Sequence, residues 1–364
     1  MVVGLAAVGA QVVGASAIGA PRAQAVPGVL DVPGRCSPSV GVVGYSDALD
    51  KRTYRSEPVA GLSALAHDAR AGRYLALADR TPTTALIWPI GGLDELPVAR
   101  PRVVGPPIRL SGRDGRPIPG RADNEGLAVL ADGRFAVSSE RGPAISVFDR
   151  DGRWRDDLSI PPRFRVAPLG QAVPNGTLEG LTATPAGDRL IAAMEKPLAG
   201  DDPGTIRMLD YRWDAGPGVD GRFVLARELL YRPAPGMRVA EIAAYGPDRL
   251  VVLEGAYSPV RGNSVVLTTA DIGPRDGGRP DRVGIARGGT QVRHLARRPL
   301  ADLRQCPTLG ARTRQPQRNP LLDNYEGMAV SGARAGGHLI HLVVDDNHSP
   351  RQTTRLLTLW ARLP

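Results

Sequence analysis

"DNEGLAVLADGRFAVSSERGP", residues 123–143, decides the reading of the fold. "GLAVL" is a short apolar run, Asp132-Gly133 is a hairpin signal, and "RFAVSSE" is the returning strand. "AISVFDRDG" (144–152) adds a third strand and turn, and "RWRDDLSI" (153–160) a fourth. Four antiparallel strands in series form a meander, the unit of a propeller blade. The same grammar returns in "AGLSALAHDARAGRYLALADR" (60–80), followed by "TTALIWPI" (83–90) as a third strand. It returns again in "LEGLTATPAGDRLIAAMEKP" (178–197), "EIAAYGPDRLVVLEG" (241–255) and "YEGMAVSGARAGGHLIHLVVDDN" (325–347). A lone four-stranded sheet cannot bury both faces, whereas a ring of them can, so repetition every roughly 55 to 85 residues marks a radial array.

The expected fold is all-β: a β-propeller of five or six blades, each a four-stranded antiparallel sheet, spanning residues 41–364. The stretch 271–322, rich in Arg, Gly and Pro, either hides a degenerate sixth unit or is a long loop. Residues 41–55 precede the first unit and are expected to lend an outer strand to the last blade, closing the ring. A β-sandwich or a solenoid is the competing architecture.

Composition agrees with many short strands joined by turns: the chain has 44 glycines and 34 prolines, and 42% of its residues are apolar. The formal charge of +9 is carried by arginine, the lysines being Lys51 and Lys196. The arginines are scattered, with no basic block and no interleaved aromatic residues, which argues against a nucleic-acid partner. Residues 1–25 read as an export signal that ends in the Ala23-Gln24-Ala25 cleavage pattern, so the mature chain is expected to begin near Val26 with a short segment, 26–40, ahead of the propeller. A secreted or cell-envelope location follows, with no integral membrane span after signal removal and a monomeric state expected. Cys36 and Cys306 are the two cysteines. In an exported chain they are expected to pair as a disulfide, the alternative being two free thiols.

"DNEGLAVLADGRFAVSSERGPAISVFD", "NGTLEGLTATPAGDRLIAAMEKPL", "AEIAAYGPDRLVVLEGAY" and "NYEGMAV…LVVDDNHSPRQTTRLLTL" together resemble the phytase-like family, "esterase-like activity of phytase". The resemblance runs from about residue 40 to the C-terminus. It implies an exported bacterial propeller protein with a loosely defined esterase or phosphatase character. The calcium ligands and catalytic residues of propeller phytases do not transfer onto these motifs.

The units share more than apolar runs. With each turn taken as the hairpin centre, Glu125 is expected opposite Glu140 and Glu241 opposite Glu254; Glu179 and Glu195 come within about one residue of the same relation. Glu326 pairs with Asp345 or Asp346 through a longer turn, and Asp346 is taken as the site residue. The first unit departs from the pattern, with Ala60 at the leading position and Asp79 at the closing one. Like charges facing each other across a strand pair repel. They require a bound cation, arginines from a neighbouring blade, or a raised pKa on one partner. If the first strand of each unit is innermost, these carboxylates meet at one mouth of the channel.

The functional expectation is a hydrolase of phosphate or carboxylate esters, acting on a small ester or phosphorylated ligand. Glu125, Glu179, Glu326 and His348 are its catalytic candidates. Glu125, Glu179, Glu241 and Glu326 would hold a metal, and a carboxylate-only set with few histidines favours Ca²⁺ over zinc. Glu140, Glu195, Glu241, Glu254, Asp346 and Arg351 would contact the ligand. The architectural alternative has each Glu capping N–H groups of the next blade while Arg80, Arg141 and Lys196 neutralise the closing acids. A non-catalytic envelope propeller that binds a ligand, glycan or protein is the alternative function. No GxSxG elbow, P-loop or HExxH is present.

Overall fold

The computed structural model describes residues 1, 32, 34–95, 100–215, 221–273, 284–285 and 291–364. The export signal and the expected start at Val26 fall outside the described residues. No helix among them is long and apolar enough to cross a membrane.

The chain forms a five-bladed β-propeller. Blade 1 runs outward from Leu62–Asp68 through Arg73–Ala78 and Leu86–Gly91 to the short outer strands Arg102–Val103 and Ile108–Arg109. Blade 2 is Asn124–Val129, Phe135–Ser139, Ala144–Phe148 and Trp154–Asp157. Blade 3 is Leu178–Ala183, Arg189–Met194, Ile206–Asp214 and Arg222–Tyr231. Blade 4 is Arg238–Gly246, Arg249–Ser258, Gly262–Asp271 and Arg297–Asp302. Blade 5 is Tyr325–Arg334, Gly337–Val344 and Leu356–Ala361, and Val40–Ser46 and Gly34–Ser37 complete it. The first strands of successive blades touch in a closed circle, blade 5 returning to blade 1.

Two sequence expectations resolve here. The segment before the first unit does close the ring, since Val40–Ser46 pairs antiparallel with Leu356–Ala361. The 271–322 stretch is not a sixth blade. It supplies Arg297–Asp302 to blade 4 and Gln291–His294, parallel to Arg222–Tyr231, to blade 3. The second strand of blade 3, Arg189–Met194, is buried throughout, because its sheet is covered on both faces by its neighbours.

Cys36 and Cys306 form a disulfide. Cys36 lies on the outermost strand of blade 5, and Cys306 directly follows the short 3₁₀ turn Leu303–Gln305 beyond the outer strand of blade 4. The bond therefore clasps the closing blade to its neighbour across a separation of 270 residues.

Each inner strand carries a β-bulge near its start. Register slips between Leu62 and Ala64, Asn124 and Leu127, Leu178 and Leu181, Val239 and Glu241, and Tyr325 and Gly327. A bulge places an extra residue against its partner strand and turns that side chain out of the regular alternation. In three blades the residues at the bulge are Glu-Gly. The glycine is required by the approach of the next blade. A Cβ on Gly126 would lie 2.4 Å from the Glu179 carbonyl oxygen, and one on Gly180 would lie 2.8 Å from the Ile242 nitrogen. One on Gly327 would lie 2.8 Å from the Ala64 carbonyl carbon.

We expect Gly126→Ala and Gly180→Ala each to destabilise the fold by about 2–4 kcal/mol, because backbone, not a flexible side chain, must yield. Gly332→Ala, with no atom within 4 Å of the added carbon, should stay within about 0.5 kcal/mol of the parent. Denaturant unfolding separates them, and equal midpoints for all three would refute the ring-contact explanation. Reduction of the disulfide, or Cys36→Ser, should lower stability by roughly 2–5 kcal/mol in the same assay.

Candidate functional site

Once the bulges are counted, the blades can be superposed by register. Leu178 pairs with Met194, Asn124 with Ser139, Tyr325 with Val344, Leu62 with Ala78 and Val239 with Glu254. The next residue on each inner strand is then Glu179, Glu125, Glu326, Ser63 and Ala240. The next residue on each second strand is Glu195, Glu140, Asp345, Asp79 and Gly255. The backbone agrees: the N–H groups of Asp79, Glu140, Glu195 and Asp345 donate to the carbonyls of Gly61, Asp123, Thr177 and Asn324. Blades 2, 3 and 5 thus bring two acids each to the mouth, blade 1 brings one, and blade 4 brings none.

This corrects the facing pairs read from the sequence. Glu125 lies in the bulge and is not opposite Glu140; Glu241 pairs with Leu253, and Glu254 with Val239. Glu241 stands one residue later, at the position Gly126, Gly180 and Gly327 hold. It is buried between blades, where its Oε1 accepts from the N–H groups of Leu181 and Ile242 at 2.9 Å. Burial raises its pKa well above the usual carboxylate range against the pull of those two bonds. Glu254 is also fully buried. It accepts from Arg297 Nε at 2.7 Å and Ala234 N at 3.1 Å, and from the Tyr231 hydroxyl. Both side chains bind backbone and neighbouring blades, not the mouth.

Blade 4 contributes a cation instead. Arg238 places Nη1 2.8 Å from Glu179 Oε1 and Nε 3.4 Å from Glu195, and its Nη2 donates to Glu326. One guanidinium thereby ties the acids of blades 3 and 5. Glu195 also meets Lys196 at 3.1 Å. Glu140 turns to the next blade and accepts from Thr177 N at 2.9 Å, and burial pushes its pKa up to about 6. Asp346 lies outside the mouth set. It accepts from Gly61 N, Thr354 Oγ1 and Lys51. Burial works to raise its pKa, but Lys51 and Gly61 N outweigh that and hold it low.

The acids on the blade 1 and blade 2 side are less well compensated. Carboxylate oxygens of Asp79, Asp123 and Glu125 lie within 4.8 Å of one another. Asp79 Oδ1 is buried with no hydrogen-bond partner. Arg80 holds Asp123 at 2.9 Å and reaches Asp79 only at 3.5 Å. Burial raises Asp79 to about 6, Arg80 opposing. Glu125 is pushed well up by burial, then by Glu179, Glu326, Asp79 and Asp345. Asp345 is raised by burial, Glu326 and Asp79. A buried acidic cluster able to hold a metal ion therefore sits at this side of the mouth.

Beside it opens a cleft of about 1070 Å³. His348 lines it, at φ +52°, and donates from Nε2 to the Arg80 carbonyl at 2.8 Å. Arg351 is exposed and is not among the cleft's lining residues. Arg355 is buried and committed to Asp47 at 2.7 Å and to the carbonyls of Pro320 and Arg312.

Residues 57–348 match the family model described as phytase-like, esterase-like activity of phytase. The chain belongs to the phytase-like family. Similar solved structures include a virginiamycin B lyase from Staphylococcus aureus (10% identity, 84% of this chain and 68% of that one, TM-score 0.33). A GH43 β-1,3-galactosidase shares 10% identity over 82% of this chain and 90% of its own, with a TM-score of 0.43. A gluconolactonase from Xanthomonas campestris shares 12% over 94% and 99%, with a TM-score of 0.34. No curated protein matches the chain.

In this phytase-like propeller, sequence reasoning named Glu125, Glu140, Glu179, Glu195 and Glu326 at the mouth. It left Asp79, Asp123, Asp345 and Arg238 out of the candidate site. Asp123 and Arg238 each lie just ahead of the bulge, and a register counted without bulges gives no reason to choose them.

Arg238→Gln should cost about 3–5 kcal/mol, because it strands buried carboxylates without a cation. Burial already raises the pKa of Glu179 against the pull of Arg238, so without the cation the folded state binds more protons than the unfolded chain, and the loss should be smaller near pH 5 than near pH 8. Adding Glu179→Gln should recover part of it at pH 8. A pH-independent loss would contradict this assignment.

Proposed function

We propose that this phytase-like chain is a hydrolase of phosphate or carboxylate esters and holds a hard divalent cation, Ca²⁺, at Asp79, Asp123 and Glu125. The observation that carries the reading is the orphaned, buried Asp79 Oδ1 in a set of three carboxylates beside a large cleft. The donors are all oxygens, which suits Ca²⁺ and not a thiolate- or imidazole-seeking metal. When bound, the cation supplies neutralisation of the acids and polarisation of an ester oxygen.

The chain's own groups have distinct tasks in this reading. Arg80 fixes Asp123 and leaves Asp79 only weakly paired. His348 fixes the Arg80 backbone through its carbonyl and forms part of the cleft wall. Asp345, whose pKa is raised by burial, Glu326 and Asp79, keeps a proton close to the acid cluster. Glu179 and Glu326, anchored on Arg238, hold the opposite wall of the mouth. The disulfide suits an oxidising compartment, which supports a location outside the cytosol.

A second reading, a non-catalytic binding propeller, is favoured by a specific observation. Glu140, Glu241 and Glu254 are spent on backbone and inter-blade bonds, which shows that acids here serve architecture as well.

With cation chelated, stability should fall as pH rises through the window from about 4 to about 6, where Asp79 and Glu140 hold protons in the folded state only. Added Ca²⁺ should abolish that decline and raise the melting temperature. Asp79→Asn and Glu125→Gln should lose the Ca²⁺ response while remaining at least as stable as the chelated parent. Turnover of p-nitrophenyl phosphate or acetate that disappears in both variants supports hydrolysis. A Ca²⁺ response without turnover supports the binding reading, and no response at all removes the cation from both.

A further inference from the structure

The lining of the cleft beside the acid cluster combines charged and apolar groups. Its rim carries Arg80, Arg121, Arg141 and Arg165, against two lining carboxylates, Asp123 and Glu140. Asp123 is held by Arg80, and Glu140 is turned to Thr177 N. Arg121, Arg141 and Arg165 are exposed, and no described carboxylate lies within ion-pairing distance of them. The more buried Arg163, Arg189, Arg207, Arg227, Arg238 and Arg297 are by contrast committed to acids.

The lining also includes Val166, Leu169, Pro143 and Pro174, which are apolar. Leu169 is 76% exposed. It is nevertheless held in place. Fully buried Phe164 anchors its loop, and backbone bonds from Leu169 N to Val166 O, Gln171 N to Arg163 O and Ala172 N to Arg165 O close it. Together with Val166, Pro143 and Pro174, Leu169 gives the cleft an apolar surface against which the body of a ligand can pack.

We propose that the cleft binds a phosphomonoester with a single anionic head and an apolar, ring-sized body, the head among Arg121, Arg141 and Arg165 and the body against Val166 and Leu169. Arginines match phosphate oxygens with paired N–H donors. A polyphosphorylated polyol carries charge on every face and gains nothing from the apolar wall. A neutral carboxylate ester gains nothing from the arginines. The proposal deepens the hydrolase reading and rests on it for the claim that the occupant is a substrate.

Calorimetric titration of the whole protein, with divalent cations chelated, tests it independently of turnover. The probes are phenyl phosphate, inorganic phosphate, phenyl acetate and inositol hexakisphosphate. Phenyl phosphate should bind more tightly than inorganic phosphate, and phenyl acetate should not bind. Arg141→Gln and Arg165→Gln should each weaken phenyl phosphate by roughly fivefold to tenfold. Leu169→Asn should remove the advantage of phenyl phosphate over inorganic phosphate and leave inorganic phosphate unchanged. All three side chains are exposed, so unfolding midpoints should match the parent and confirm intact folds. Equal affinity for the two phosphates, tighter binding of inositol hexakisphosphate, or insensitivity to the arginine changes would each overturn the proposal. If carboxylate esters are turned over while phenyl phosphate fails to bind, the hydrolase reading survives and this inference does not. If phenyl phosphate binds as described without turnover, the reverse holds.

Discussion

The bulge at the start of every inner strand is the constraint on which the rest depends. Without it, the strict alternation of a β-strand would set Glu125, Glu179 and Glu326 in regular register with the second strands. With it, the glutamate turns toward the mouth, and the following glycine lets the next blade's backbone approach. The Glu-Gly pair is therefore one device with two tasks. The glycine closes a five-membered ring of tightly packed inner strands, and the glutamate marks its open end.

Concentrating acids in this way creates a problem of charge, and the molecule solves it unevenly. Blade 4 departs from the pattern: it carries Ala240 and Gly255 where its neighbours carry acids, and it supplies Arg238 to three glutamates from two other blades. Glu140 accepts from the backbone N–H of Thr177, which partly offsets the burial that raises its pKa. On the blade 1 side the compensation runs short. Arg80 serves Asp123 closely and Asp79 poorly, and Glu125 is surrounded by other carboxylates. A buried cluster of like charges in a protein of formal charge +9 is not a by-product of composition. It is a local demand for positive charge, met by protons when the protein is alone and by a cation in the proposed working state.

Much of this was legible in the sequence, for physical reasons. Turn signals such as Asp132-Gly133 and repeated apolar runs disclosed five meanders. The cysteine count disclosed the clasp, and the apolar run ahead of the first unit disclosed the closing strand. The expectation of acids at one mouth came from pairing carboxylates across each hairpin, with the first strand of each unit innermost. Register was where sequence reasoning failed, because hairpin arithmetic assumes an unbroken ladder. One extra residue per inner strand moved Glu241 and Glu254 off the mouth and put Asp345 in the place given to Asp346. The strands described within 271–322, Gly284–Ile285, Gln291–His294 and Arg297–Asp302, were hidden because the outer edge strands of a blade need little apolar character. The cleft arginines sit in connections between strands, where nothing periodic marks them.

The most direct test of the cation site is anomalous diffraction from crystals grown in millimolar Ca²⁺. A peak coordinated by Asp79, Asp123 and Glu125, absent from crystals of the Asp79→Asn protein, is the expected result. Crystals in which the oxygens of these three carboxylates stay within 4.8 Å of one another with no peak at the same Ca²⁺ concentration would contradict it.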